Sequence, residues 1–325
     1  MKSRRKSIFF FCAVLVLVVA MIISGLQIWK SAVSLSNQEE SAQKSKTIVK
    51  EGKSYYPKND VTVVMVLGID QAGPVKSSDS YRNPGAADTI MLLLFDEKDE
   101  TCSVLYLNRD TIMDVSVLGL HSRPAGTNRE QLALAHTYGT GLKDSCENVR
   151  STLENFLPGV TIDYYVSMNL DAIPILNDAV GGVKVHVTED FSQVDPTIPT
   201  GDVVLRGNQV LSYVQTRKGV GDQKNVSRME RQKQYISGFL QQYKELHHGD
   251  PAFWLQQYEK IEPYIVTDCS STVLSNMLSD YKDYSLKEIV TFEGENKIVD
   301  GYYEFHVDQK NLEETYMRLF YMEKK

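Results

Sequence analysis

Cysteine is scarce, with four residues among 325. Cys12, Cys102, Cys146 and Cys269 form no pattern that resembles a zinc site, and they are too few for a disulfide scaffold. Cys12 lies in an apolar amino-terminal run, so the other three cannot all pair within one chain. Cys102 sits in the strand-like run Thr101–Leu107 and reads as a buried free thiol. Cys146 and Cys269 stand beside polar, loop-like residues, which leaves one disulfide between them open in an oxidising compartment. Positive charge is also short: 35 basic against 42 acidic residues give a net charge of -7. Lys2, Arg4, Arg5 and Lys6 hold +4 of the total, so the rest of the chain carries -11. This balance excludes a general nucleic-acid binder, and no DNA-binding segment is visible. An anionic ligand then requires cations gathered in one place. The familiar catalytic signatures are missing as well. There is no G-x-S-x-G elbow, no H-E-x-x-H and no Walker motif, because Gly139–Lys143 lacks the required spacing. The histidines are scattered, and only His136 lies near a candidate site.

What is present fits a globular body, with 42% apolar and 24% charged residues and no internal repeat. Ile8–Ile28 is 21 residues without a charge, enough as a helix to cross a hydrocarbon core of about 30 Å. The basic cluster before it predicts a single-pass signal anchor over 8–29 with residues 1–7 in the cytoplasm and the body outside. A cleaved signal peptide has a shorter apolar region and a small-x-small site, and no clear site follows here. Residues 30–58 are rich in Ser, Lys, Gln and Glu and read as an extracytoplasmic linker. Ordered structure is expected from Val61–Leu67, a buried strand. Thr89–Phe95 and Thr101–Leu107 follow as a hairpin, and helical patterns then alternate with short strands at Tyr164–Met168 and Val183–Val187. This predicts an α/β body over 59–245. Residues 246–325, with helical patterns at 251–262 and 271–281 and a strand-like 301–307, read as an extension packed on the same core.

A helix is expected from Arg228 to about His248, with Ser227 and Glu230 as its capping box and Gly249 and Pro251 as its stop. Ile236, Phe239, Leu240 and Tyr243 make its buried stripe. Arg228, Arg231, Gln232 and Tyr235 fall in one bordering arc, either an anion site at a helix start or a solvated basic face. Asp70 follows the first strand, Asp88 opens the second and Arg109 ends the third, so the hairpin would set Asp88 beside Arg109. Two carboxylates with phosphate oxygens are what Mg²⁺ favours. The plainer alternatives are a turn aspartate, a strand-start cap and a local Arg109–Asp110 or Arg109–Asp114 pair.

Several blocks together resemble the LytR–CpsA–Psr family of membrane-anchored cell-wall enzymes. They are Val64–Asp70, Ala87–Leu92, Leu107–Thr111, Ile162–Val166, Asp178–Val183, Gly207–Val214 with Thr216–Lys218, and Arg228–Gln232, in family order. The resemblance implies an α-β-α sandwich with a central mixed sheet. It implies a transferase that moves a polyprenyl-pyrophosphate-linked glycan onto a peptidoglycan hydroxyl, with pyrophosphatase activity as a side reaction. By position, Asp70 and Asp88 would hold or orient Mg²⁺. Arg109, Arg217, Arg228 and Gln232 would contact the pyrophosphate, with Arg231 close by, and an apolar tunnel would take the lipid. Three positions depart from the pattern. The arginine expected before Ala87-Asp88 is absent, with Arg82 the nearest replacement; Gln215 stands in place of an arginine; and Asn225 replaces an acidic residue. These departures motivate a second reading, a non-catalytic anchored module that binds lipid-linked glycans. Five of the ten arginines beyond the amino-terminal cluster (Arg82, Arg109, Arg217, Arg228, Arg231) fall in or beside the expected site. The acidic total therefore describes the solvated surface.

Overall fold

Part of the expected linker is folded. Ile48–Lys50 (β1) and Lys53–Pro57 (β2) form an antiparallel hairpin, and β2 pairs in turn with the distant strand Tyr321–Glu323. The polar composition of 47–58 hides this. Ile48 and Tyr55 pack against the core, while the pairing partner lies at the other end of the chain. The computed structural model describes residues 47–324 apart from 81, 222–224, 248–250 and parts of 270–283. The expected membrane anchor and most of the expected helix at 271–281 lie outside the described residues. Among the described residues no helix is long and apolar enough to cross a membrane.

Val61–Ile69 (β3), Ala87–Asp96 (β4) and Thr101–Leu107 (β5) are near-continuous apolar runs, as strands covered on both faces must be. β3–β4 and β4–β5 are antiparallel, so the expected hairpin forms with β3 on its other side. Ile112–Leu118 (β6) and Pro124–Gln131 (β7) make a separate hairpin, followed by a 3₁₀ turn at Leu132–Thr137 and the helix Lys143–Phe156 (α1). Tyr164–Asn169 (β8) then joins β3 in parallel. Ala172–Ala179 (α2), the hairpin Val183–Val187 (β9) with Gly201–Leu205 (β10), and Gln209–Gln215 (α3) lead to the long helix Asn225–His247 (α4). Pro251–Ile261 (α5) follows. Ile265–Thr267 (β11) pairs with β8 and Ser285–Val290 (β12) with β5, so both edge strands of the six-stranded sheet come from beyond residue 245. Gly294–Val299 (β13) and Tyr302–Val307 (β14) form a last hairpin. Gln309–Phe320 (α6) closes the chain, capped by Asp308, whose carboxylate accepts from Asn311 N.

Alternation along the central strands sends side chains into two cores. Val64, Val66, Met91, Leu93 and Tyr106 face α2, α3, α4 and α5. Met65, Leu67, Ile90, Leu92 and Leu105 face α1, α6 and the 3₁₀ turn. Helices on both faces of a mixed sheet give the expected α-β-α sandwich. Cys102, Cys146 and Cys269 are all buried and free. Burial pushes the Cys146 and Cys269 thiols up to about 12, so neither is poised to ionise or to pair.

Candidate active site

β3 and β5 end, and β4 begins, at one edge of the sheet. The ladder shifts there: Gly68 pairs with Thr89 but Ile69 with Ala87, which leaves Asp88 as the extra residue of a bulge. A bulge re-aims one side chain and ends regular pairing. Gly68 permits it, because a Cβ would stand 3.0 Å from the Thr89 Cβ. Asp88 is thereby turned to two cations. Arg109 Nη1 contacts its Oδ1, and Arg228 Nη1 donates to its Oδ2 at 2.8 Å. The neighbours expected from the hairpin alone, Asp88 and Arg109, do meet.

Arg109 is held by a tight turn. The Asn108 side chain accepts from Asp110 N at 3.0 Å, its carbonyl accepts from Thr111 Oγ1 at 2.6 Å, and the Arg109 carbonyl accepts from Ala133 N at 3.0 Å. Asp110 lies 3.3 Å from Arg109 Nε and 3.8 Å from Arg217 Nη1, so one buried carboxylate stands between two guanidinium groups. Asp114 pairs with Arg129 instead. Burial draws the Arg109 pKa down to about 10, Asp110 opposes that, and the nearby Arg228 and Arg217 reinforce it. The group stays cationic at neutral pH. Burial also lowers Arg228. Asp70 is exposed, forms no side-chain bond with a described residue, and lies within electrostatic reach of Arg109 and Arg228.

α4 begins at Asn225, three residues before the expected start. Asn225 is buried; its Nδ2 donates to Asn108 Oδ1 at 2.6 Å and its Oδ1 accepts from Arg228 Nη2 at 2.5 Å. These bonds tie the helix start to the Arg109 turn and carry it beyond the Ser227 cap read from the sequence. Arg228 Nε is buried without a hydrogen-bond partner among the described residues. One turn on, Gln232 accepts from the Tyr106 hydroxyl and donates to Thr89 Oγ1 at 3.3 Å and the Val214 carbonyl at 2.9 Å.

Two expected arginines sit elsewhere. Arg231 donates to the Tyr213 carbonyl at 2.9 Å, to the Thr216 carbonyl and to Glu189, and lies over the Phe191 ring. Its fork is occupied in fastening α3 to α4, because its side chain leaves α4 toward β9 and not toward Asp88. Arg82 stacks on Tyr138 at 4.0 Å and pairs with Glu130 at 3.3 Å; no described contact joins it to Asp88, Arg109, Arg217 or Arg228. The local Arg109–Asp110 pair offered as an alternative does form, though the bridge from Asp110 to Arg217 was not foreseen, and sequence reading missed Asn108, Tyr106 and Thr89. Asn108 stood inside a noted block as Arg109's neighbour, whereas Tyr106 and Thr89 were indistinguishable from strand residues.

Beside the cluster, between the sheet and α2 and α4, is a cavity of about 150 Å³. Met91, Met168, Ile173, Leu176, Ile236 and Phe239 make its apolar wall, and Asp88, Thr89, Gln215, Arg228, Gln232 and Tyr235 are its polar residues. Its surface is overwhelmingly apolar, with ion-paired groups confined to a few positions. Gln215 thus lines the cavity as a neutral amide. As to a metal, no set of three or more His, Cys, Asp or Glu donors exists among the described residues. Asp88 is shared by two arginines while Asp70 is free. That donor pair fits Mg²⁺ only when ligand oxygens complete it.

Comparison with known proteins agrees with this architecture. The chain is 26% identical over 316 residues to an Enterococcus faecalis protein named polyisoprenyl-teichoic acid–peptidoglycan teichoic acid transferase TagU, covering 95% of each chain. It is 25% identical over 285 residues to the Bacillus subtilis protein of the same name, covering 87% of this chain and 84% of that one. Among solved structures, TagT bound to LI-WTA superposes with a TM-score of 0.60 at 23% identity, over 80% of this chain and 90% of that one. A Streptococcus agalactiae protein superposes with a TM-score of 0.65 at 20% identity, over 80% and 86%. The match to the LytR_cpsA_psr family runs over residues 23–320, so the sheet, the bulged Asp88 and the arginine helix all lie within it, and the chain belongs to that family.

Proposed function

We propose that this chain is an extracytoplasmic, membrane-anchored transferase that moves a polyprenyl-pyrophosphate-linked glycopolymer onto a peptidoglycan hydroxyl. The observation that carries the reading is the adjacency of an apolar cavity and a buried arginine cluster. A ligand that joins a hydrocarbon chain to a pyrophosphate matches both parts. Asp88 and Asp110 pair with the guanidinium groups of Arg109, Arg217 and Arg228. Pyrophosphate oxygens replace Asp88 at Arg109 and Arg228, whose planar forks suit them better than a point charge. Arg217, part exposed, closes on the outer phosphate, and Gln232 and Gln215 border the cavity where the lipid begins. Asp88, freed from its arginines, and Asp70 are the residues that would hold Mg²⁺. When bound there the ion neutralises phosphate charge.

The acceptor oxygen forms a bond to the phosphorus that bears the glycan. The bond from that phosphorus to the oxygen of polyprenyl phosphate breaks, the lipid phosphate leaves, and the hydroxyl proton is released. The arginines supply positioning and charge stabilisation, the main requirements of phosphoryl transfer. The test is release of polyprenyl phosphate from a polyprenyl-pyrophosphate glycan by the full chain, with and without Mg²⁺ and peptidoglycan. Tight lipid binding with no turnover under any of these conditions overturns the transferase reading. The second reading, an anchored binding module, would then stand, favoured by Asn225, whose amide is committed to Asn108 and Arg228 where a carboxylate was expected.

A further inference from the structure

Ile298, Val299, Tyr302 and Tyr303 are four of the eight exposed large hydrophobic side chains among the described residues. All four stand at the end of the β13–β14 hairpin, around the turn Asp300–Gly301. Ile298 is opposite Tyr303 and Val299 opposite Tyr302, so each pair takes one face of the ribbon. β13 is exposed along its whole length, and the tip is apolar on both faces. Clustered exposed apolar residues on a folded body mark an interaction surface.

The hairpin belongs to the site edge. Phe305 N donates to the Asp110 carbonyl at 2.8 Å, and Phe305 bridges Thr111 in parallel. That direction takes β14, read back toward Tyr303, from Thr111 toward Arg109. The Gln131 amide joins both, donating to the Tyr303 carbonyl and lying 3.5 Å from Asp110 Oδ1. Charge and side-chain chemistry select the occupant. Residues 294–307 carry Glu295, Asp300 and Glu304 against Lys297 and no arginine, which disfavours an anionic polymer. Tyrosine offers an apolar ring and a hydroxyl to a partner that has both apolar faces and hydroxyls.

We propose that the Tyr302–Tyr303 tip is the docking surface for the uncharged saccharide of the acceptor strand, which it holds beside Arg109. This rests on the transferase reading above and adds where the acceptor lies. The test is co-sedimentation of the detergent-solubilised full chain with peptidoglycan sacculi stripped of attached polymers. The Tyr302→Ser/Tyr303→Ser variant should bind them roughly tenfold more weakly and transfer correspondingly less. Its thermal midpoint and its acceptor-independent release of polyprenyl phosphate should match the parent. In a second arm, an environment-sensitive fluorophore at Lys297→Cys in vesicle-reconstituted protein should shift on addition of a muramidase digest of sacculi. Undiminished sacculus binding by the variant, no binding by the parent, or a fluorophore shift from vesicles alone overturns the proposal. If the parent shows no turnover while the variant loses sacculus binding, the surface stands and the transferase reading falls.

Discussion

Arg228 and Arg231 stand three residues apart on α4, both buried, and their surroundings are opposite. Each of Arg231's three guanidinium nitrogens has a partner, the Glu189 carboxylate or one of two backbone carbonyls. Arg228 meets Asp88 and Asn225, keeps Nε without a hydrogen-bond partner among the described residues, and lines the apolar cavity, whereas Arg231 lines an open cleft with His186 and Glu230. Every guanidinium nitrogen of Arg231 is engaged, while Arg228 has capacity left for a ligand. Residue type and burial therefore do not identify a binding arginine. The inventory of its partners does.

Exchanging each arginine should separate the two roles most sharply. Arg228→Ala leaves Asp88 paired with Arg109, so the fold is kept, and release of polyprenyl phosphate should fall by about 10²–10³-fold. Arg228→Lys, which keeps charge without the fork, should lie between. Arg231→Ala leaves the part-buried Glu189 without its cation and removes the bonds that fasten α3 to α4, which costs roughly 1.5–3 kcal/mol. Denaturant midpoints measured beside turnover decide the matter. A stable, inactive Arg231→Ala with an active Arg228→Ala would reverse the comparison.

A smaller test concerns what positions the open side. The Tyr106 hydroxyl, fully buried in β5, donates to the amide oxygen of Gln232 and so fixes which end of that amide faces Thr89 and Val214. Burial pushes this phenol up to about 12, which keeps it a donor. Tyr106→Phe should cost about 1 kcal/mol of stability. It should lower lipid affinity more than the turnover of bound substrate, because Gln232 lines the cavity. An equal loss in Tyr213→Phe, on the Arg231 side, would show that the effect is general packing.

The same contrast explains what the sequence made legible. Strands β3, β4 and β5 were readable because both faces are covered and the apolar runs are continuous. The Asp88–Arg109 meeting followed from hairpin geometry. Arg228 and Arg231 could not be told apart, since both lie within one arc of a helical wheel and only the placement of β9 and Glu189 decides between them. The bulge at Asp88 depends on a one-residue register shift that no local pattern records. The β1–β2 hairpin escaped because its stabilising partner is more than 260 residues away in sequence. Tertiary pairing, and not local propensity, makes that segment ordered.

The smallest effect concerns a buried group outside the cluster. His136 Nδ1 is 2.7 Å from the Gly85 carbonyl, so it is the protonated nitrogen, and Nε2 is buried with no hydrogen-bond partner among the described residues. Burial lowers its pKa below 6.5, outweighing the Gly85 bond and the charge of Asp144. The sign follows from linkage. Below the unfolded value the unfolded chain binds a proton that the folded chain refuses, so stability is lost as pH falls through about 6.5 and below. Gly85 lies three residues before Asp88, in the segment that leads into the bulge, so the loss should begin at the open side. Urea midpoints of the parent should therefore drop between pH 7 and pH 5. The drop should be smaller in His136→Gln, which can still donate to Gly85. An equal drop in both would show that the acid sensitivity does not come from His136.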